Sequence, residues 1–290
     1  MSDPGSTLAG RQLGGYLRAA RQQLGATIDQ TAQASEISPS VLQRLEKGAS
    51  TRLKVRDIQA LCSILEMSTE TTSAMVGLLL KADEKSWWHA YGDVIPATFD
   101  VYVGLESGAS ELTMYQPSQV PGLLQTADYA RSLILNRMET STEGERRRVL
   151  DLRLERQNLV TRKFDPLALN VLVNEAALRC LVGGRAIMAE QLRHLAEIGK
   201  RSNVSIRVLP YDVGMPLGHP IGQYALLQFA TTGAPPVVYL EGFSGCAYLE
   251  KPEDILLYRD ATLQLSRRAL DEDASRLLIR SVAKEHDSGE

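Results

Sequence analysis

The sequence predicts an α+β protein, in which an all-α domain of five helices precedes a larger mixed α/β domain. Between residues 13 and 81, apolar residues recur at helical spacing in five short segments. After residue 98, helical segments alternate with short apolar runs such as Leu167–Val173 and Val204–Leu209, which are typical of buried strands. A chain of 290 residues is long enough for two such domains.

Composition and helix signals divide the chain further. Residues 1–10 are expected to form a disordered tip, and residues 11–82 the five-helix domain. An aromatic hinge is predicted at 83–97, where Trp87, Trp88 and Tyr91 either pack the domains together or form a stacking platform. The α/β domain is predicted at 98–284, with a tail at 285–290.

The third helix of the first domain has the clearest boundaries. Ser38 is a good N-cap, Pro39 suits the first helical position, and Gly48 suits the C-terminal end. Leu42 and Leu45 are expected to face inward. The opposite face is polar, with Ser40, Gln43, Arg44 and Lys47.

The neighbouring segments favour a DNA-reading role for this face over a merely solvated one. Thr27 can cap a short helix at Ile28–Ala34, and the turn Ser35–Ile37 joins it to the third helix. Two short helices across a tight turn form a helix-turn-helix unit, whose second helix enters the major groove. Arg can bind guanine there, Gln adenine, and Lys phosphate.

The first domain resembles the DNA-binding domain of XRE-type phage repressors. The matching residues are Arg21–Thr27, Ala32, Ile37-Ser38 and Leu45-Glu46-Lys47-Gly48. The resemblance implies a structural ion pair between Arg21 and Glu46. It also implies base-facing positions for Pro39, Ser40 and Arg44, to which the polar face of the helix adds Gln43. The sequence departs from the family at Ile28, where Gln is frequent, and at Glu36, where Gly is frequent.

Charge supports a polyanionic partner for this domain alone. Residues 11–56 contain eight basic and three acidic residues, a net charge of +5 in a chain whose total is −3. The residues assigned to phosphate contacts are Arg11, Thr27, Lys47, Arg52 and Lys54.

The other predicted elements follow from period and turn residues. Further helices are expected at Leu13–Gln23, Val55–Met67, Thr71–Lys81, Val101–Ala109, Ala127–Arg137, Thr142–Arg162, Ala186–Lys200, Asp254–Leu270 and Asp273–Lys284. Further strands are expected at Leu112–Tyr115, Tyr224–Phe229, Val237–Glu241 and Cys246–Leu249. The strands at 167 and 204 suggest a parallel crossover, and those at 224 and 237 an antiparallel pair with a third strand at its edge.

The whole chain from Leu13 to about Ser281 resembles the actinobacterial WhiJ-like regulators, which have an antitoxin-like C-terminal domain. The motifs that carry the resemblance are Val120–Arg131, Arg153-x-x-Arg156-Gln157, Asn174–Arg179, Gln191-Leu192-x-x-Leu195, Ile206–Pro210 and Val238-Tyr239-x-Glu241. The resemblance implies a large domain that dimerises or senses an effector. It also implies a small acidic partner protein, encoded nearby, that counters DNA binding.

The α/β domain offers a candidate effector or partner pocket but no catalytic site. Its residues are Glu175, Arg179, His219, Tyr239 and Glu241, of which Glu175 and Glu241 are expected at strand ends near one cleft. The chain has no recognisable nucleophile elbow, Gly-rich phosphate loop or paired metal ligands, so no catalytic residue, cofactor or metal is assigned. Gly183-Gly184 is interpreted as a turn between helices.

The sequence therefore predicts a homodimeric transcriptional regulator that binds an operator in double-stranded DNA and acts as a repressor. Three separated cysteines and the lack of a signal peptide or membrane segment indicate the cytoplasm. One alternative is an antitoxin-like module that neutralises a small partner protein, with DNA binding secondary. A second is an α/β enzyme fused to a helix-turn-helix domain. The long helix Thr142–Arg162 and the C-terminal helices are equal candidates for the dimer surface.

Overall fold

The computed structural model describes residues 8–49, 53–83, 87–94, 97–230 and 235–288. In these residues, the first part of the chain consists of helices, and the second part consists of helices around one sheet. The α+β fold class is therefore confirmed. One compact unit runs through Gly108, and another comprises Ala109–Phe229 and the residues from Pro235 onward. Along the described residues, no helix combines the length and the apolar character needed to cross a membrane.

Five helices of the first unit share one hydrophobic core. They are α1 (Leu8–Gln23), α2 (Ile28–Ala34), α3 (Pro39–Glu46), α4 (Val55–Ile64) and α5 (Thr69–Asp83). Leu17, Leu42, Leu61 and Leu79 are buried together in that core. The first helix starts at Leu8 instead of after residue 10, because Leu and Ala are good helix formers. The rest of the expected tip, residues 1–7, lies outside the described residues.

Three successive helices end in the same backbone motif. The residue after the C-cap has a left-handed conformation in each case, with φ of +56° at Glu36, +73° at Gly48 and +53° at Glu66. The next N–H then bonds to a carbonyl five residues back: Ile37 to Ala32, Ala49 to Arg44 and Met67 to Cys62. Glu36 therefore occupies a position for which Gly is best suited.

The aromatic run packs within the first unit. Trp87–Tyr91 forms a 3₁₀ helix, followed by α6 (Ala97–Gly108). Trp88 is buried, and its ring lies so close to Gly104 that a Cβ there would sit 3.2 Å from it. The compact unit that contains α6 ends at Gly108. Residues 84–86 and 95–96 of the expected hinge lie outside the described residues.

A six-stranded mixed sheet organises the second unit. Its strands are β1 (Glu111–Gln116), β2 (Ala168–Asn174), β3 (Val204–Leu209), β4 (Tyr224–Gln228), β5 (Val237–Gly242) and β6 (Gly245–Leu249), in the order β3-β2-β1-β4-β5-β6. The predicted parallel pairing of β2 with β3, antiparallel pairing of β4 with β5, and edge position of β6 are confirmed. β1 lies in the middle, parallel to β2 and antiparallel to β4, which no local pattern had indicated.

Among the described residues, seven α-helices complete this unit: α7 (Ala127–Arg137), α8 (Glu143–Arg156), α9 (Asn158–Thr161), α10 (Glu175–Arg179), α11 (Arg185–Ile198), α12 (Pro252–Arg268) and α13 (Glu272–Ser288). The single helix expected at Thr142–Arg162 is broken at Gln157, whose side chain instead donates to two loop carbonyls. The expected tail is also wrong from residue 285 to 288. There α13 continues, because Glu285 and Asp287 pair with Arg179 and Arg193.

Candidate functional site

The polar face of α3 is exposed and its apolar face is buried. Side chains of Pro39, Ser40, Gln43, Arg44 and Lys47 are exposed, as a DNA-reading helix requires. Its start is well defined, because the Ser38 hydroxyl accepts a hydrogen bond of 3.3 Å from the backbone N–H of Val41. The inward residues Leu42 and Leu45 join the core, so the helix cannot rotate without exposing them.

The structure brings the members of the expected ion pair together. The Arg21 Nε and Nη2 atoms donate to the two Glu46 carboxylate oxygens at 2.6 and 2.8 Å. Arg18 adds a bond to the Glu46 backbone carbonyl. The Glu46 side chain is only 4% exposed, and its hydrogen bonds raise the pKa of the Arg21 guanidinium. This buried contact fixes the C-terminal end of α3 against α1.

Two glycines allow α1 and α3 to approach closely. A Cβ at Gly14 would lie 2.2 Å from the Leu45 carbonyl oxygen. A Cβ at Gly48 would lie 2.6 Å from the Arg11 Cα. Sequence reasoning assigned Gly48 to the end of α3 but missed Gly14. The signal was present, since Gly14-Gly15 lies inside a helical pattern where Gly is otherwise unfavourable.

The residues assigned to phosphate contacts lie in different environments. Lys47 and Lys54 are exposed at helix ends. Arg11 is half-buried against Gly48, and Thr27 is exposed but its hydroxyl is engaged in a capping box with Gln30. Arg52 lies outside the described residues. Ile28, the departure from the family pattern, packs against the core.

The predicted pocket residues of the second unit lie in two separate groups. The first group consists of Glu175 and Arg179. Glu175 is 8% exposed, accepts a 2.8 Å hydrogen bond from Arg179 and a 3.0 Å bond from the Tyr211 N–H. Arg179 also pairs with Glu285, and the two carboxylates raise its pKa. The shallow cavity beside this pair, about 220 Å³, is lined by Arg179, Leu181, Arg185, Val282, Glu285 and His286.

Tyr239 and Glu241 form the second group, on β5. Because β2 and β5 run in the same direction, Glu175 and Glu241 do lie at the same edge of the sheet. Three strand spacings separate them, about 14 Å, so they do not share the single cleft that was expected. His219 is exposed and interacts with the Leu217 carbonyl in its own loop.

Buried amide side chains from the family-like motifs hold the loop at Val120–Thr126. Gln125 donates to the Val120 carbonyl at 2.7 Å, and Gln157 to the carbonyls of Gly122 and Gln125 at 3.1 and 2.7 Å. Gln191 is fully buried. It accepts from the Thr126 N–H at 2.7 Å and donates to the Leu124 carbonyl at 2.8 Å. These distant sequence motifs therefore meet at one rigid loop.

Next to this loop lies an arginine cluster, defined here as Arg137, Arg153 and Arg156 together with Glu241. Arg156 is 6% exposed, and Arg153 donates to the Gln125 amide oxygen at 2.6 Å. Burial, followed by repulsion from Arg156 and Arg137, lowers the pKa of the Arg153 guanidinium to about 10, against the attraction of Glu241. Sequence reasoning placed Arg153 and Arg156 in a family-like motif and assigned them no role.

Comparison with known protein families matches both parts of the chain. A helix-turn-helix domain model matches residues 12–75, and the model described as a domain of unknown function, DUF5753, matches residues 99–281. Neither a curated protein nor a solved structure gives a significant match. The first match supports a DNA-binding regulator. The second covers well over half of the chain, which therefore belongs to the DUF5753 family.

Proposed function

We propose that this protein is a sequence-specific transcriptional repressor of the XRE type that binds its operator as a homodimer. The observation that carries the proposal is the exposed face of α3, where Ser40, Gln43, Arg44 and Lys47 project from a helix held in place by the Arg21–Glu46 pair. In this interpretation Arg44 and Gln43 contact base edges, and Lys47 contacts phosphate.

The proposal assigns the second unit to sensing, in line with its resemblance to WhiJ-like regulators. The small acidic partner protein implied by that resemblance would release the operator, and the regulator would act in the cytoplasm. No catalytic role is part of the proposal.

The dimer is proposed because one helix-turn-helix reads only a few base pairs, so that two half-sites are needed. Of the surfaces that the sequence suggested, α12 is favoured by its exposed leucines: Leu256, Leu257 and Leu263. Leu256 and Leu263 are seven residues apart and so share one face of the helix.

The test is a mobility-shift titration with DNA from immediately upstream of the gene, at two salt concentrations, with wild type and Arg44→Ala. We expect a discrete wild-type complex that weakens with salt, and a loss of about 1–3 kcal/mol of binding free energy in the variant. Equal binding to random DNA of the same length would argue against a specific repressor.

A matched control separates base reading from general charge. Arg147→Ala removes one exposed arginine from α8 in the second unit and changes the net charge by the same amount. Its operator affinity should equal that of wild type. If both variants lost affinity equally, the effect would be electrostatic and α3 would not be the reading helix.

A further inference from the structure

A cavity of the second unit lies between the turn that joins α10 to α11 and the last turns of α13. Its volume is about 220 Å³, below the range of about 300–1,000 Å³ that is typical of sites for drug-sized ligands. Its lining combines two apolar residues with four polar ones: Leu181 and Val282, and Arg179, Arg185, Glu285 and His286. A ligand that fits this cavity is therefore small, with an apolar part and a polar group.

Arg179 is held by two carboxylates that are fixed to different degrees. The Glu175 side chain is 11% exposed, and its second oxygen accepts a 3.0 Å hydrogen bond from the Tyr211 N–H. Glu285 is 40% exposed, lies in the last turn of α13, and accepts a hydrogen bond from the Arg179 Nη1 atom. Glu285 can therefore turn into solvent, whereas Glu175 is held in place by its second hydrogen bond.

The hydrogen bonds of Arg179 leave one edge of its guanidinium only partly used. The Nε atom donates to Glu175 and Nη1 to Glu285, while Nη2 donates to none of the described residues. A carboxylate opposite Nη1 and Nη2 would accept two parallel hydrogen bonds in place of the single bond to Glu285. Such an exchange keeps the charge of Arg179 balanced, because one carboxylate replaces another.

From these contacts we infer that the cavity binds a small carboxylate with an apolar body, which takes the place of Glu285 at Arg179. The carboxylate binds the guanidinium edge, and the apolar body contacts Leu181 and Val282. The inference rests on the proposed function, since it names a class of effector for the sensing unit.

Exchange at Arg179 changes the stability of the last turn of α13. A carboxylate near a helix C-terminus is unfavourable, because the helix dipole places partial negative charge there. Arg179 offsets this effect for Glu285, as Arg193 does for Asp287. A displaced Glu285 keeps its charge at the helix end but loses its hydrogen bond, so the last turn opens more often. Faster exchange of the amide hydrogens at 285–288 reports this opening.

The experiment measures the dissociation constant of benzoate for the full chain by ligand-observed NMR, with sodium chloride holding the ionic strength constant. Benzamide has the same ring without the charge and serves as the control ligand. We expect saturable binding of benzoate and no saturable binding of benzamide. Equal binding of the two ligands, or no binding of benzoate, would overturn the inference.

Glu285→Gln and Asp287→Asn form a matched pair of variants. Each removes a carboxylate of the last turn of α13 that pairs with an arginine of another helix, but of the two only Glu285 lines the cavity. Glu285→Gln should bind benzoate about fivefold more tightly, the order expected when a partly exposed ion pair no longer competes. Asp287→Asn should bind benzoate as wild type does. Equal affinities in these two variants would contradict exchange at Arg179.

Leu181→Glu and Leu277→Glu form a second matched pair. Leu181 is 57% exposed and lines the cavity, whereas Leu277 is 68% exposed elsewhere on α13, so neither change disturbs a core. A carboxylate at position 181 competes with benzoate and repels it, and should weaken binding about tenfold. Leu277→Glu should leave the affinity unchanged. Unchanged affinity in Leu181→Glu would place benzoate outside the cavity and overturn the inference.

Arg179→Gln should abolish benzoate binding. It also leaves the buried Glu175 carboxylate without its ion pair, which is strongly destabilising. The variants at positions 181 and 285 change partly or fully exposed side chains, so they test the site even if Arg179→Gln does not fold. Wild-type affinity in a folded Arg179→Gln protein would overturn the inference.

Hydrogen exchange distinguishes displacement of Glu285 from binding beside it. Benzoate should accelerate amide exchange at 285–288 in wild type and leave it unchanged in Glu285→Gln, which has no carboxylate to displace. Slower exchange in wild type would show that the ligand stabilises the contact and would contradict displacement. Because these measurements contain no DNA, failure here leaves operator binding intact, and loss of operator recognition leaves the benzoate result intact.

Discussion

Arg21 donates two hydrogen bonds, of 2.6 and 2.8 Å, to the buried carboxylate of Glu46, although the residues lie 25 positions apart in the chain. The contact joins α1 to the last turn of the helix whose opposite face carries Gln43 and Arg44. Stability of the first unit and presentation of the proposed reading face therefore depend on the same pair.

Removing one partner should be more damaging than removing both. Arg21→Met leaves the Glu46 carboxylate, 4% exposed, with Arg18 as its one basic neighbour among the described residues, and should lower the free energy of unfolding of the first unit by about 3 kcal/mol. The double variant Arg21→Met with Glu46→Met should recover most of this loss. Denaturant unfolding monitored by circular dichroism compares them. Equal losses in the single and double variants would contradict a buried-charge origin.

Gly14 and Gly15 provide a pair of adjacent substitutions with opposite expected signs. Gly14→Ala places a Cβ 2.2 Å from the Leu45 carbonyl oxygen, which is backbone and cannot rotate away, so α1 must move from α3. We expect a loss of about 3 kcal/mol in the free energy of unfolding. Gly15→Ala meets no atom within 4 Å and should add about 0.5–1 kcal/mol by favouring the helix.

Differential scanning calorimetry of both variants measures these effects. A lower unfolding temperature for Gly14→Ala and a higher one for Gly15→Ala is the expected outcome. Two variants shifted in the same direction would show that general helix propensity, and not the close approach of α1 to α3, decides stability here.

Local sequence patterns were sufficient to predict helices whose ends are marked by capping residues. They were insufficient to predict contacts between residues far apart in the chain. Ser38, Pro39 and Gly48 mark α3 because capping depends on nearby backbone groups. Gln191 is different. Its side chain forms hydrogen bonds with the backbone of Thr126 and Leu124, some 65 positions away, and nothing in its own helical pattern indicates that role.

The candidate sites divide in the same way. The reading face follows from helix periodicity, since residues three and four apart share a face. Whether the predicted pocket residues meet depends on which strands lie side by side. No local pattern indicated that β1 lies between β2 and β4, and this added strand separates Glu175 from Glu241. The arginine cluster was missed because alternating charges along α8 indicate a solvated helix unless the fold reveals that Arg156 is buried.

Glu36 allows strain to be separated from charge. Its φ of +56° is unfavourable for a residue with a side chain, so Glu36→Gly should raise the free energy of unfolding by about 1 kcal/mol. Glu36→Ala keeps the Cβ and should bring no such gain.

Both variants remove an exposed carboxylate from the turn before α3, and both should bind DNA more tightly, most clearly at low salt. Thermal unfolding and mobility shifts on the same samples distinguish the effects, and equal stabilisation by Ala and Gly would rule out backbone strain.

The dimer surface proposed on α12 is tested by placing a charge on it. Leu263 is 49% exposed, and Leu135 on α7 is 46% exposed, so the two leucines are matched in residue type and exposure. If α12 packs against its counterpart in a second copy, a buried glutamate at position 263 meets its own symmetry mate across the two-fold axis, with no partner for either charge. Leu263→Glu should therefore shift the molar mass in solution from dimer to monomer, whereas Leu135→Glu should remain dimeric.

Light scattering after size exclusion gives the mass directly, and the operator titration gives the consequence. A monomeric Leu263→Glu protein should occupy half-sites independently and lose at least tenfold in apparent affinity, since joint binding of two linked modules contributes an effective concentration that separate monomers lack. If Leu263→Glu stayed dimeric while Leu135→Glu dissociated, the interface would involve α7, and the exposed leucines of α12 would need another explanation.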